Sequence, residues 1–321
     1  MTNLLVIREQ LKKFYGDYEV YITPALKFLL ALLSFILINS RMGYMSKIDN
    51  TAIVLVLALM CSFLPINLII VLAAVLILLH LYAASIECAV VAAAIFLLLF
   101  LLYFRFSPKD TLTVVLTPVC FALKIPYVIP LSMGLVGTPA SAVSVGCGVI
   151  VYYMLNYINS SIPSLAAMDA DGAVQKFRYI VDGVLNNKAM MVTIAAFAIT
   201  IVAVYVVRRL SIDHSWTIAM VSGCILNILC MLFGDLMFNT NISIGGVILG
   251  SIVSVAIAKV LQFFVFNVDY TRTEFVQFED DEYYYYVKAV PKNTVTAPEK
   301  KEKTIKVPEK AVNRNHNTNK F

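Results

Sequence analysis

Charged side chains are scarce in this sequence: Asp, Glu, Lys and Arg make up 14% of the 321 residues, whereas 60% are hydrophobic. A water-soluble domain of this size cannot bury so much apolar surface. The composition therefore predicts one polytopic membrane domain in a lipid bilayer. The formal net charge of +5 belongs largely to ordinary loop and tail residues, so we expect no binding to nucleic acid.

Motifs that carry chemistry are absent as well. The sequence contains no G-x-x-x-x-G-K-[ST] phosphate loop, no H-E-x-x-H motif and no G-x-S-x-G motif. None of the six cysteines forms a C-x-x-C pair, and all six lie within apolar segments, which is typical of packing residues. We therefore expect no enzyme and no cofactor, and an ATP-driven activity would require a separate ATPase.

Six apolar runs approach the length that a helix needs to cross hydrocarbon, at about 1.5 Å per residue. They predict an all-α fold with about six full transmembrane helices in a domain of residues 23–266. The predicted helices lie at about residues 24–40, 84–104, 139–157, 189–207, 216–234 and 244–266.

Amphipathic patterns predict two further helices that do not cross the membrane. Residues 1–22 place apolar side chains at helical spacing against charged ones, and Gly16 is the candidate end of this helix. This helix would lie on the membrane surface or pack on the protein itself. Residues 158–188 are predicted to leave the membrane as a loop and an amphipathic helix, with Asp169 or Asp171 as its N-cap.

The C-terminal part of the chain is also predicted to leave the membrane. Residues 267–291 mix apolar and polar positions and contain a tyrosine run, which favours a short β-hairpin or an edge strand near the acidic residues 279–282. Residues 292–321 are rich in Lys, Glu, Pro, Thr and Asn, and we predict that they are disordered. This C-terminal region is a candidate docking segment for a cytoplasmic protein partner.

Two long apolar stretches are interrupted by proline. Residues 51–82 break at Leu64-Pro65-Ile66-Asn67, and residues 111–137 break at Lys124-Ile125-Pro126. Broken apolar segments in corresponding positions of two units indicate a transport site inside a bilayer. The alternative for both stretches is a pair of proline-kinked helices packed in the bundle.

Basic residues near helix ends predict the orientation of the chain. Those after the second and fourth full helices, together with the Lys-rich tail, favour a cell membrane with both chain ends in the cytoplasm. The crossings counted between them make residues 51–82 enter and leave on the outer side, and residues 111–137 on the inner side. Each stretch would then be a hairpin, and the two hairpins with their following helices would form an inverted repeat. Two tight crossings are the alternative for the first stretch.

The two breaks supply the candidate binding residues, because backbone groups freed in hydrocarbon need partners in protein or in a water-lined cavity. Lys124 is expected to hold an anion or to titrate, unless it reaches to the membrane surface. The small residues after the second break allow close backbone approach, which close helix packing explains as well. Glu87 is either an interfacial acid or a ligand for a coupling ion. The candidate set is Pro65, Asn67, Lys124, Pro126, Gly134, Gly137, Ser141 and Glu87.

Three stretches carry a likeness to a known group of proteins: residues 105–110, Lys124-Ile125-Pro126-Tyr127 and residues 134–142. Together they resemble little-characterised polytopic membrane proteins of anaerobic Gram-positive bacteria that are loosely labelled as ABC-transporter permeases. The likeness extends from the N-terminal helix to the tyrosine run. The resemblance implies a membrane protein and supplies no functional residues.

Three functions are compatible with this pattern. The first is a permease that moves a small ion or solute at a site formed by the two broken segments. The second is a membrane scaffold or assembly subunit without transport activity, whose amphipathic helices and C-terminal tail meet a partner. The third is the membrane subunit of an ATP-driven transporter with a separate ATPase.

Overall fold

The computed structural model describes residues 2–168, 173–210, 212, 214–240, 242–265, 274–279 and 284–289. These residues form eleven helices and one pair of strands. The elements are α1 Thr2–Met42, α2 Thr51–Phe63, α3 Asn67–Ala84, α4 Ile86–Phe106, α5 Thr111–Ala122, α6 Val128–Val136, α7 Ser141–Ala166, α8 Ala173–Leu185, α9 Lys188–Arg208, α10 Ser215–Phe238, α11 Ile244–Val265, β1 Glu274–Glu279 and β2 Tyr284–Ala289.

The chain divides into two units. Lys12–Phe266 forms one compact helical unit, and Met1–Leu11 with Asn267–Phe321 forms the other. In the second of these, β1 and β2 pair antiparallel, with Glu274 opposite Ala289 and Glu279 opposite Tyr284. Glu279, the first of the acidic residues near which the sequence predicts a hairpin, is the last residue of β1. Residues 292–321, predicted to be disordered, lie outside the described residues.

Seven stretches of the described chain are long and apolar enough to cross a membrane, which confirms a polytopic helical membrane protein. Six of them correspond to the runs predicted from sequence, and the seventh is α3, the second half of the first broken stretch. The seven are Lys13–Met42, Asn67–Ala84, Ile86–Phe106, Ser141–Ala166, Ala173–Arg208, Ser215–Phe238 and Ile244–Val265.

Hydrogen bonds between helix ends define two opposite faces of the helical unit. Tyr103 near the end of α4 and Thr111 at the start of α5 both form hydrogen bonds with Asn67 at the start of α3. We call the end of the bundle that contains these three residues the Asn67 face. At the other end of the bundle, the Asn159 amide in α7 donates to the Arg41 carbonyl at the end of α1, at 3.2 Å. We call this level the Asn159 face.

The first broken stretch crosses the bundle twice. Its helix α2 starts just after the end of α1, at the Asn159 face, and ends where the Lys27 ammonium of α1 donates to the Leu64 carbonyl at 3.3 Å. Helix α3 then returns over 18 residues, about 27 Å, to the Asn159 face. The break at Pro65 therefore lies at the Asn67 face, which is the arrangement of two tight crossings.

The second broken stretch is a hairpin that enters and leaves at the Asn67 face. Its first helix, α5, runs parallel to α7, as two contacts show. Ser107 just before α5 bonds to Ser144 near the start of α7 at 2.5 Å. Further along both helices, Phe121 stacks on Tyr152 with ring centroids 4.4 Å apart. Helix α5 has 12 residues, about 18 Å, and α6 returns over nine residues, about 14 Å. The chain thus turns back roughly half way through the bilayer, whose hydrocarbon core is about 30 Å thick.

Two helices are longer than the sequence predicts. Helix α1 continues past Gly16, and its one non-helical residue is Tyr18, with φ −118° and ψ 18°. Helix α7 continues through residues 159–163, which the sequence predicts to be a loop. There the Ser160 and Ser161 hydroxyls both donate to the Tyr157 carbonyl at 2.8 Å, so these polar residues bond within the helix. The predicted N-caps of α8, Asp169 and Asp171, lie outside the described residues.

Candidate functional site

The tip of the α5–α6 hairpin is closed by backbone hydrogen bonds. The Lys124 N–H donates to the Phe121 carbonyl at 3.1 Å, and the Ile125 N–H donates to the Cys120 carbonyl at 2.9 Å. This pair of bonds is a Schellman motif, which caps the C-terminal end of a helix. Two carbonyls that the break was expected to leave free are therefore satisfied by the chain itself.

Lys124 occupies the position of this motif that normally holds glycine. Its φ of +62° lies in the left-handed region, which costs a non-glycine residue about 1 kcal/mol or more. Its side chain is exposed at the tip of the hairpin, whereas Pro126 beside it is buried. The group at the break that a solute could contact is therefore the exposed Lys124 ammonium. The backbone of the same residue is strained.

Exposed residues lie at the tip and beyond it toward the Asn159 face. Helix α7 continues past the stacked pair Phe121 and Tyr152, but α5 has ended, so Asn156 one turn further along α7 is exposed. Leu123 at the tip is 51% exposed. We call the exposed surface at Leu123, Lys124 and Asn156 the tip recess.

Close backbone contacts hold the hairpin against its neighbours. A Cβ atom on Gly148 of α7 would lie 2.5 Å from Thr117 Cβ of α5, and one on Gly134 of α6 would lie 2.6 Å from Val204 Cβ of α9. Real Cβ atoms do not approach so closely, so only glycine fits at these crossings. The structure accordingly gives Gly134 a packing role on α9.

The exit of the hairpin is fixed by an arginine. The Arg208 guanidinium at the end of α9 donates to the Leu135 carbonyl and, at 2.8 Å, to the Gly137 carbonyl. It also lies 5.0 Å from the centroid of the Tyr205 ring. In the same turn, the Ser141 hydroxyl accepts from the Thr138 N–H at 3.2 Å. Gly137 and Ser141 therefore belong to the connection between α6 and α7.

Asn67 belongs to a separate polar cluster. Its side-chain carbonyl accepts from the Thr111 hydroxyl and, at 3.4 Å, from the Tyr103 hydroxyl. Tyr103 also bonds to Thr111 at 2.7 Å and to the Pro108 carbonyl at 2.9 Å. Tyr103 and Thr111 are almost fully buried. This cluster lies at the Asn67 face with Pro65, a full length of α5 from Lys124.

The eight predicted site residues therefore lie in separate places. Only Lys124 and Pro126 are at the hairpin tip, while Glu87 lies at the Asn159 face, where it accepts a hydrogen bond of 2.6 Å from the Ser85 hydroxyl. Sequence reasoning did not select Arg208 as a site residue. It used that residue only to predict orientation, because a basic residue at a helix end is the usual sign of a membrane surface.

Two further observations bear on the chemistry of the site. Among the described residues no group of His, Cys, Asp and Glu could hold a metal ion. Outside the membrane-spanning segments, burial and the nearby Cys88 raise the pKa of the Tyr44 hydroxyl, which remains a neutral donor to Asn159 at 3.2 Å.

In comparisons with protein-family models, with curated proteins and with solved structures, no match was found.

We expect the cluster at Asn67 to contribute to stability. Replacing Thr111 with valine removes a buried hydroxyl that joins Asn67 and Tyr103, and it should lower the free energy of unfolding by about 1–3 kcal/mol. Thermal unfolding of the purified protein in detergent measures this loss. Thr113→Val is the matched control, since its hydroxyl bonds only to the Met133 sulfur. Equal stability of the two variants would contradict the prediction.

Proposed function

We propose that this membrane protein is a permease that moves a small anionic solute, and that Lys124 contacts the solute in the tip recess. The observation that carries the proposal is an exposed cation at the tip of a hairpin that turns back half way through the bilayer. The first broken segment, whose break lies at the Asn67 face, is not part of this site.

The energetic cost of Lys124 supports a functional role. A lysine at the centre of a bilayer costs roughly 2.5–3.5 kcal/mol on insertion scales, and the left-handed backbone adds to that cost. Helix α6 also begins at the tip, so the positive end of its dipole favours an anion in the same place. A structural residue would bear neither cost, because glycine closes this motif without strain.

We infer that the Asn67 face is cytoplasmic and that the tip recess opens to the outside of a cell membrane. Arg105 and Arg208 lie in the last turns of α4 and α9, which end at the Asn67 face, and Lys109 follows α4 there. Within the helical unit, α1 runs from that side to Arg41 at the Asn159 face, and α11 ends on that side. Lys259 near the end of α11 donates to Thr217 at the start of α10, at 2.9 Å, which fixes that end of α11 at the same level.

A cysteine at Leu123 tests the site while leaving Lys124 in place. In a background with the six native cysteines replaced, Leu123→Cys should react with membrane-impermeant thiol reagents added at the Asn159 face. A negatively charged reagent should react several-fold faster than a positively charged one, because Lys124 is adjacent. The additional change Lys124→Gln should remove this preference.

A cysteine at Leu131 is the control, since this side chain on α6 is 1% exposed and should not react. Three results would contradict the proposed site: no labelling of Leu123→Cys, labelling from the Asn67 face alone, or labelling at the same rate with both reagents.

The second candidate function is a membrane subunit without transport activity, with or without an ATPase partner. Helix α8 favours it, because its buried Ile180 and Val184 pack on the bundle while Val174 is 81% exposed. A partner or the membrane surface would cover this exposed end. The permease resemblance stays a prediction, and the predicted docking of a cytoplasmic partner on the C-terminal tail is a proposal of the same kind.

A further inference from the structure

A second feature of the helical unit is an apolar cavity of about 130 Å³ between α1, α3, α4, α5 and α7. Its volume is close to the roughly 150 Å³ of engineered apolar cavities that stay dry and take up benzene. Water would find almost no hydrogen-bond partners along these walls. The walls include Ile70, Ile77, Phe96, Leu99, Val115 and Val151.

The polar residues of this cavity are concentrated at its end near the Asn159 face. Arg41 and Asn156 there are exposed, and Asn159 lies beside them. The Arg41 backbone is held by the hydrogen bond from Asn159, and its guanidinium lies 5.9 Å from the centroid of the Tyr152 ring. Within the described part of the chain, no carboxylate lies within ion-pair distance of this guanidinium. The mouth of an apolar cavity is thus marked by a cation that lacks an anionic partner.

We propose that this cavity binds one acyl chain of an anionic phospholipid, with the lipid phosphate at Arg41. The cavity matches the arrangement of a bilayer lipid. A lipid has its charged group at the membrane surface and its apolar chains toward the bilayer centre, and this cavity has Arg41 at the Asn159 face and apolar walls further in. Arginine suits the headgroup because its planar guanidinium bonds two phosphate oxygens at once. The volume accommodates part of one chain, and the remainder of the lipid lies outside the cavity.

This site is distinct from the one proposed for the transported anion. The cavity is lined by the face of α5 that carries Val115, Pro118 and Ala122, and Lys124 is not part of its wall. The two sites share only Asn156, so a lipid headgroup at Arg41 would stand beside the tip recess. Loss of lipid binding can therefore be separated from loss of transport.

The test is retention of phospholipid by the purified full-length protein, measured by native mass spectrometry from mixed micelles. Dioleoyl phosphatidylglycerol should be retained about fivefold more strongly than dioleoyl phosphatidylcholine, the factor expected from one cation near a membrane surface. Arg41→Gln should remove this preference and should lower retention of phosphatidylcholine less, because the choline cation of that lipid balances its phosphate charge. Arg178→Gln, which removes an exposed charge on α8 at the same face, should leave the preference intact.

The acyl chain is tested separately by filling the cavity. Ala74→Phe places a ring in the cavity wall and should reduce retention of both phospholipids. If that variant does not fold, Arg41→Gln still decides the proposal. Equal retention of the two phospholipids by the unaltered protein, or an unchanged preference in Arg41→Gln, would overturn it. Saturable binding of oleate without binding of phosphatidylglycerol would also overturn it, since the ligand would then be a free fatty acid.

Discussion

Replacing Lys124 with glycine is expected to lower anion flux at least about tenfold and, in the same variant, to stabilise the protein by about 1 kcal/mol. The flux falls because the cation in the tip recess is lost. The stability rises because glycine adopts the φ of +62° without the steric cost that lysine bears. Efflux of chloride and acetate from proteoliposomes measures the first effect, and thermal unfolding in detergent measures the second.

Two other substitutions at the same position separate charge from backbone strain. Lys124→Arg keeps both, so it should keep flux and stability near those of the unaltered protein. Lys124→Ala removes the charge but leaves a non-glycine residue in the left-handed conformation. Its flux should therefore be low, without the gain in stability expected for glycine. A glycine variant that transports normally would remove Lys124 from the proposed mechanism. A glycine variant that is less stable would show that the lysine side chain stabilises the tip.

The second large effect is expected at the crossing of α5 and α7. Gly148→Ala should destabilise the protein by about 1–3 kcal/mol, because the new Cβ would lie 2.5 Å from Thr117 Cβ. That atom is bonded to the backbone, so no side-chain rotation relieves the overlap. Gly146→Ala on the same helix is the matched control, since its nearest neighbour would be Ile194 Cγ2 at an ordinary 3.8 Å.

A second substitution should rescue the first. In Gly148→Ala with Thr117→Gly the three heavy atoms of the threonine side chain are absent, so the new methyl group at position 148 no longer overlaps with α5. The cost of glycine within a helix, about 1 kcal/mol, and the loss of the hydrogen bond from the Thr117 hydroxyl to the Thr113 carbonyl should remain. The coupling between the two positions is read from thermal unfolding of the single and double variants. Additive effects, or a Gly148→Ala variant as stable as Gly146→Ala, would mean that the hairpin does not pack on α7 at this point.

The positions of the two breaks were predictable from sequence, but their depths were not. A proline within an apolar stretch acts locally, so helix ends near Pro65 and Pro126 follow from the residues themselves. Depth depends on contacts between distant residues. The hydrogen bonds of Asn67 with Tyr103 and Thr111 place the first break at one end of the bundle. No sequence pattern predicts these bonds.

The same distinction applies to the candidate site. Lys124 was noticed because a charge in an apolar stretch is visible in the sequence, whereas its left-handed backbone and the Schellman motif follow from three-dimensional geometry. The loop predicted at residues 159–163 follows from polar composition and a proline. In the structure two serine hydroxyls bond to a carbonyl of their own helix, and the helix continues to Ala166.

The bonds from Arg208 to the end of α6 have a consequence for the order of synthesis. Arg208 lies 71 residues after Gly137, so it leaves the ribosome later than the whole hairpin. At about 5–20 residues per second, the end of α6 lacks this partner for roughly 4–14 s. During that time α7, α8 and α9 are still being made, and the newly made hairpin has neither α9 beside Gly134 nor a donor for its last carbonyls. The hairpin therefore lacks these hydrogen bonds until about two thirds of the chain has been made, although it lies in the first half of the chain.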